Sequence, residues 1–169
     1  ALDFELRHAP LEVDQIDHAA MGLDHARRVR AFVRRHVAVQ DGIGDRGRRR
    51  HEVGCAADLG RVENYHGPAG SPLLYKDRII VYQDQASGSF IAAFNAATGR
   101  QMWRTGRQAS VGWGSPVAVR AGDHDEIIVN GQSRVQAYDP DRGRELWRCS
   151  GTTFEVIPTP VVGFGLVFA

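Results

Sequence analysis

The feature that most constrains this chain is a repeat. Ser71-Pro72, Ser115-Pro116 and Thr159-Pro160 stand 44 residues apart, and the same offset relates Ala93 to Ala137, Phe94 to Tyr138, Gly99 to Gly143 and Trp103 to Trp147. A fixed period decides architecture before local propensity does, because each unit buries its apolar faces only against its neighbours. The units run over 70–113, 114–157 and a shorter stretch, 158–169. Spacing inside them is uneven: Ile79-Ile80-Val81 answers Ile127-Ile128-Val129 at an offset of 48. The second unit therefore carries four extra residues around 121–126, and the first regains them around 83–89. Fixed strands joined by variable loops are what a repeat array tolerates.

Each unit reads as four strands. Residues 71–75 and 79–83 are rich in Leu, Ile, Val and Tyr, with Lys76-Asp77-Arg78 as the turn between them. Residues 89–95 alternate, with Phe90, Ala92 and Phe94 on one face and Ser89, Ile91, Ala93 and Asn95 on the other. Ala96-Ala97-Thr98-Gly99 is a hairpin loop and 101–105 returns as the fourth strand. The second unit repeats this with 135–139, the loop Pro140-Asp141-Arg142-Gly143, and 145–149. Asp139-Pro140 starts a type I turn, and Gly143 supplies the positive φ that closes a bulged hairpin. A four-stranded unit of this size matches a propeller blade, so the expected fold is all-β, a fragment of about 2.3 blades of a β-propeller.

Ala93-x-Asn95-x-x-x-Gly99-x-x-x-Trp103 and Ala137-x-Asp139-x-x-x-Gly143-x-x-x-Trp147 resemble the tryptophan-docking motif of the quinoprotein-like (PQQ-repeat) β-propellers. The resemblance spans about 61–169. It is similar in particular to the family of the propeller lipoprotein of the outer-membrane β-barrel assembly machinery. It implies that each Trp wedges between neighbouring blades; an aromatic ring buries about 150–250 Å². Asn95 replaces the Asp of the motif, and Arg142 stands where the family often has Thr.

The first 58 residues differ in kind. Residues 1–58 contain no Ser, Thr, Asn, Lys, Tyr or Trp, whereas 59–169 contain 23 of them. At that rate the first segment would hold about 12; it holds 10 Arg and five of the seven His instead. Counting back from the repeat puts a Gly at 55 and a Trp at 59, where the chain has Cys55 and Leu59. The expected organisation is a non-propeller, Arg/His-rich segment (1–58), a linker (59–69), blades at 70–113 and 114–157, and the truncated start of another at 158–169. Two readings of 1–58 follow. One is a separate segment with a helix over 14–39, where Ile16, Ala19, Leu23, Ala26, Val29, Val33 and Val37 form an approximate apolar stripe. The other, favoured by the missing residue types, is text from outside the propeller's reading frame, through a frameshift or misassembly in GC-rich DNA.

Other chemistry is sparse. The chain of 169 residues carries 21 Lys+Arg against 20 Asp+Glu, so no global field points to nucleic acid or an anionic membrane. The arginines at 27–35 and 46–50 lie among as many acids as bases in their segment, and no run is long and apolar enough to span a bilayer. The first 25 residues lack the basic-then-apolar order of a signal peptide. His18, His25 and His51-Glu52 match no metal motif, and Asp123-His124-Asp125-Glu126 lacks the spacing and glycine of a calcium loop, so it reads as a solvated hairpin tip. No Gly-x-Ser-x-Gly or phosphate loop is present, and no catalytic residue is assigned.

The linkers into each first strand are richer in aromatic and charged residues than the turns opposite them. Glu63, Tyr65, His66, Arg107, Trp113, Phe154 and Glu155 are therefore expected to form a recognition face. The leading reading is a non-catalytic scaffold or binding module with protein partners; family resemblance implies a periplasmic, cell-envelope or secreted location. The alternative is a fragment of a PQQ-dependent dehydrogenase, which would bring PQQ and calcium; the resembled enzymes use an adjacent Cys-Cys pair, absent here. A third reading is the sensor ectodomain of a larger receptor or kinase. For 1–58, translating the other frames of the nucleotide sequence is expected to yield a docking motif ending in Trp near position 59. Absence of propeller-like text in every frame would overturn the frameshift reading.

Overall fold

The period-2 alternation and the turn residues place strands along the whole repeat. The computed structural model describes residues 17–23, 28–38 and 49–169, with side chains from Ala57 onward. The strands are β1 (Asp17–Leu23), β2 (Arg28–Ala38), β3 (Arg49–Arg61), β4 (Leu73–Tyr75), β5 (Arg78–Gln83), β6 (Phe90–Asn95) and β7 (Gln101–Gly106). They continue as β8 (Val117–Ala121), β9 (His124–Gly131), β10 (Arg134–Tyr138), β11 (Glu145–Ser150), β12 (Val161–Gly163) and β13 (Leu166–Phe168). Among the described residues there is no helix. The two repeat units are antiparallel four-stranded sheets in chain order, β4-β5-β6-β7 and β8-β9-β10-β11, and β12 pairs with β13 alone. This is a partial β-propeller.

In the described part of 14–39 the expected helix is replaced by strand. Residues 17–23 and 28–38 are antiparallel strands, and β2 also pairs with β3 along Arg28–Ala38. Val29, Val33 and Val37 recur every four residues, a spacing that satisfies a strand's period of two as well as a helix's period of 3.6. Arg28, Arg30 and Arg34 alternate with Val29, Ala31 and Val33, and β-branched residues favour the extended state. The arginine and histidine side chains of 1–56 lie outside the described residues. The boundary drawn at 58/59 falls inside β3, whose end enters the first core layer.

That layer explains why the middle strands are apolar on both sides. Ile79 and Val81 of β5 and Phe90, Ala92 and Phe94 of β6 pack against Ala57 and Leu59 of β3. The alternate residues Ile80, Tyr82, Ile91 and Ala93 pack on the other face against Ile127, Val129 and Tyr138 of the next blade. Leu59 is buried at the position where the repeat count expects a docking Trp.

Two devices repeat with the period. At the Ser-Pro steps, the Ser71 amide donates to Ser115 Oγ and the Ser115 amide to Thr159 Oγ1, each at 2.9 Å. The backbones run so close that a Cβ on Gly114 would lie 2.7 Å from the Pro158 carbonyl oxygen. At the hairpin turns, Asn95 Oδ1 accepts from the amides of Ala97 and Thr98, as Asp139 Oδ1 does from Asp141 and Arg142. Asn95 thus does the work of the motif's Asp, because only its acceptor oxygen is used. Gly99 and Gly143 close these turns at φ of 71° and 70°.

Trp103 joins one blade to the next. Its indole N–H donates to the Pro140 carbonyl at 3.0 Å, and its ring lies flat where a Cβ on Gly143 would sit. Thr105 Oγ1 donates to the Gly143 carbonyl at 2.7 Å, and Arg78 reaches both Pro140 O and Asp141 from the same blade. Trp103→Ala is expected to cost about 3 kcal/mol of folding free energy, and Gly143→Ala about 2 kcal/mol through left-handed backbone and a displaced indole. In urea unfolding the double variant should cost clearly less than the sum, since the two residues are partners. Additive costs would show that the indole does not depend on Gly143.

Candidate functional site

Each fourth strand of a blade ends at the same end of the sheets, and the chain must cross there to the next first strand. The crossing segments therefore meet side by side. The Trp113 amide donates to the Val156 carbonyl and its indole N–H to the Gly67 carbonyl, both at 3.0 Å, so one residue ties three consecutive linkers together. Tyr65 Oη donates to Glu155 Oε1. The Tyr65 ring lies 5.8 Å from Trp113 edge-on and 4.4 Å from His66, and His66 lies 5.8 Å from Trp113. Tyr65 is 64% exposed and Phe154 62% exposed, whereas Trp113 is 9% exposed. Glu63 is exposed, accepts from Ser87 Oγ at 2.6 Å, and is held through its own backbone by Gln85 and Ala86.

The structure thus brings Tyr65, His66, Trp113 and Glu155 together. Phe154, Glu155's chain neighbour, projects into solvent on the same linker. Trp113 is the support of this cluster and not an exposed contact. The Glu155 carboxylate, by accepting the Tyr65 hydrogen bond, raises the phenol above its ordinary value, with burial and the nearby charge adding to it.

Arg107 does not belong on this face. Its side chain is fully buried and makes a forked ion pair with Asp84, Nε to Oδ1 at 2.7 Å and Nη2 to Oδ2 at 3.0 Å. Nη1 donates to Tyr138 Oη at 2.7 Å, and the guanidinium lies 5.3 Å and 5.6 Å from the ring centroids of Tyr82 and Tyr138. Burial opposes the charge on Arg107, but Asp84 outweighs it and the pKa rises. Gly131 makes room for the pair: a Cβ there would lie 2.5 Å from Arg107 Nη2. Asp84, Tyr82 and Tyr138 carry no motif, and Asp84 and Arg107 are too far apart in sequence to read as partners.

A model of the family described as outer membrane protein assembly factor BamB matches residues 59–169. The chain belongs to this family. Among solved structures, a europium-containing methanol dehydrogenase aligns at 16% identity with a TM-score of 0.48, over 82% of this chain. The chain spans 26% of the length of that structure. No curated protein matches.

The BamB-family blades also join at their opposite end. Asp125, expected to be solvated, is instead held by Tyr75, by Lys76 Nζ at 3.0 Å and by Arg120 Nη1 at 3.1 Å. Those donors, Tyr75 first, hold its carboxyl well below the usual range. Glu126 is buried, accepting from the Trp147 indole at 2.7 Å and meeting His124 at 2.9 Å. Only Asp123 stays fully exposed in that run. Among the described residues no group of three or more His, Cys, Asp or Glu side chains is placed to hold a metal ion.

Because Tyr65's folded pKa is raised, its bond to Glu155 contributes to folding fully below pH 10, the ordinary phenol value. That contribution is lost as pH rises through the higher folded value. An ultraviolet phenolate titration, with Tyr65→Phe as the reference, should show Tyr65 ionising above the ordinary phenol value, and Glu155→Gln should lower its pKa. An unchanged titration in Glu155→Gln would show that the two side chains do not meet in solution.

Proposed function

We propose that this chain is a non-catalytic binding module of the bacterial cell envelope that recognises a protein partner through its linker face. The observation that carries this reading is the convergence of three consecutive linkers on Trp113 and the pair Tyr65–Glu155. Exposed aromatics above a buried, hydrogen-bonded support are the usual anatomy of an interaction patch: an apolar body to desolvate, a polar tip to orient, and little rotamer entropy to lose. Glu63 and Glu155 set a polar rim beside Tyr65 and Phe154. The family's description, an outer membrane protein assembly factor, suggests the outer-membrane assembly machinery as the partner to test, and with it a periplasmic setting. No helix among the described residues is long and apolar enough to cross a membrane.

A dehydrogenase fragment is the second reading, and it would require a quinone with a metal ion. The residues present do not fit that group. The sequence has no adjacent cysteine pair, Cys149 is an exposed free thiol on β11, and the described acids and histidines make no ligand cluster. That reading therefore puts no catalytic role on the described residues. Titrating PQQ and calcium into the chain and following quinone absorbance separates the two; saturable binding would favour the enzyme.

Trp113→Ala is a poor test of the face, since removing a buried indole that ties three linkers should cost about 3 kcal/mol of stability. Tyr65→Ala and Phe154→Ala are the informative pair. Each should weaken binding to the purified assembly machinery by about fivefold or more, with circular dichroism and the urea midpoint nearly unchanged. Undiminished binding by the double variant would overturn the assignment of this face.

A further inference from the structure

Charge on the linker face is as unevenly placed as aromatic surface. Four segments meet there, 62–70, 84–89, 107–114 and 151–158, together with the turn Gly131-Gln132-Ser133. With histidine counted as neutral, their charged residues are Glu63, Asp84, Arg107 and Glu155. Asp84 and Arg107 neutralise each other inside the seam, both side chains wholly removed from water. That leaves Glu63 and Glu155, both exposed, and no uncompensated cation in those segments. The outer hairpins have the opposite balance: residues 90–106 and 134–150 together hold six arginines against three acids. The linker face is therefore acidic where the outer hairpins are basic, and such a difference in potential selects partners by their charge.

One of the two acids is built into an aromatic site. Tyr65 is exposed and yet held twice: its hydroxyl donates to Glu155 Oε1, and its ring meets Trp113 edge-on. The hydroxyl engages one carboxylate oxygen of Glu155 and leaves the other to receive a donor. Among the charged groups it is Glu155 that acts on the Tyr65 phenol. Phe154, its chain neighbour, adds a second exposed ring. A fixed, exposed π face beside a carboxylate is an arrangement that a cation recognises. Ring quadrupole and carboxylate attract the same charge, and a ring already held has little rotamer freedom left to lose.

We propose that the linker face takes an arginine of its protein partner, stacked on the Tyr65 ring with its N–H groups on Glu155. This rests on the reading of that face as the partner-binding one, and it narrows the partner to a segment of basic character. Arginine suits the site better than lysine, because a planar guanidinium lies flat on an aromatic face while its edge donates to a carboxylate. An acidic segment would meet Glu63 and Glu155 as like charges and be turned away.

The test uses the full chain and three acetylated, amidated peptides, Gly-X-Gly-X-Gly, in which X is arginine, lysine or citrulline. Citrulline keeps the planar shape of arginine and loses its charge. Binding is followed by nuclear magnetic resonance through the Trp113 indole N–H, which lies against Tyr65. At low salt the arginine peptide should bind about fivefold more tightly than the citrulline peptide, with lysine between them. The difference should shrink at about 0.5 M salt. Glu155→Gln keeps an acceptor for the Tyr65 hydroxyl and removes the charge, so it should abolish most of the preference. Equal affinity for the arginine and citrulline peptides would refute the proposal. So would binding by neither, or an arginine preference that survives Glu155→Gln. None of these outcomes bears on the face itself, which stands or falls with Tyr65→Ala and Phe154→Ala against the assembly machinery.

Discussion

Everything in this fold depends on the seat of one indole on one glycine. Trp103 leaves the last strand of its blade and lies on the Gly143 turn of the next, with its N–H on the Pro140 carbonyl. Position 143 has to be glycine for two separate reasons, the left-handed φ of 70° and the absence of space for a Cβ. That contact aligns the seam in which Ile80, Tyr82, Ile91 and Ala93 of β5 and β6 meet Ile127, Val129 and Tyr138 of β9 and β10. Hydrophobic burial supplies the energy, and the indole supplies the alignment.

The polar interactions refine that alignment both deep in the seam and near the surface. Deep in the seam, Arg107 and Asp84 are wholly removed from water, so the pair is worth little net as an attraction, yet losing one member would leave an unpaired buried charge, costing about 3–5 kcal/mol. Near the surface, Lys76, Arg120 and Tyr75 gather on Asp125 and tie the hairpin tips of adjacent blades. Because Lys76 and Arg120 are exposed, solvent screens those two salt bridges and they add little to stability. Also at the surface lie the hydroxyl contacts at the Ser-Pro steps, which give the 44-residue landmark its physical meaning. Each hydroxyl accepts the backbone N–H of the preceding unit where the chains run too close for a side chain.

Much of the blade was legible beforehand. The strands, the alternation of Phe90, Ala92 and Phe94 against Ile91 and Ala93, and the turn role of Asn95 and Asp139 all follow from period and local hydrogen-bond chemistry. The candidate face was partly legible: Tyr65, His66, Trp113 and Glu155 share a linker-rich end because topology puts every crossing segment there. Arg107 was misplaced because an arginine in a linker reads as solvent-facing until its partner is known, and Asp84 announces itself by no motif. The helix over 14–39 failed for a different reason, since a four-residue recurrence of valine does not distinguish the two periods.

The sequence by itself determined the repeating unit: its strands and its turns. Those features rest on contacts within a few residues or on a period that is visible without coordinates. Tertiary structure alone decided that Trp103 seats on the Gly143 turn while Trp147 bonds Glu126 of its own blade, that Arg107 turns inward to Asp84, and that Trp113 supports the linker face and does not line it. Each of these depends on how one sheet lies against the next, and burial and pairing across that seam are properties of the stack, which no single unit contains.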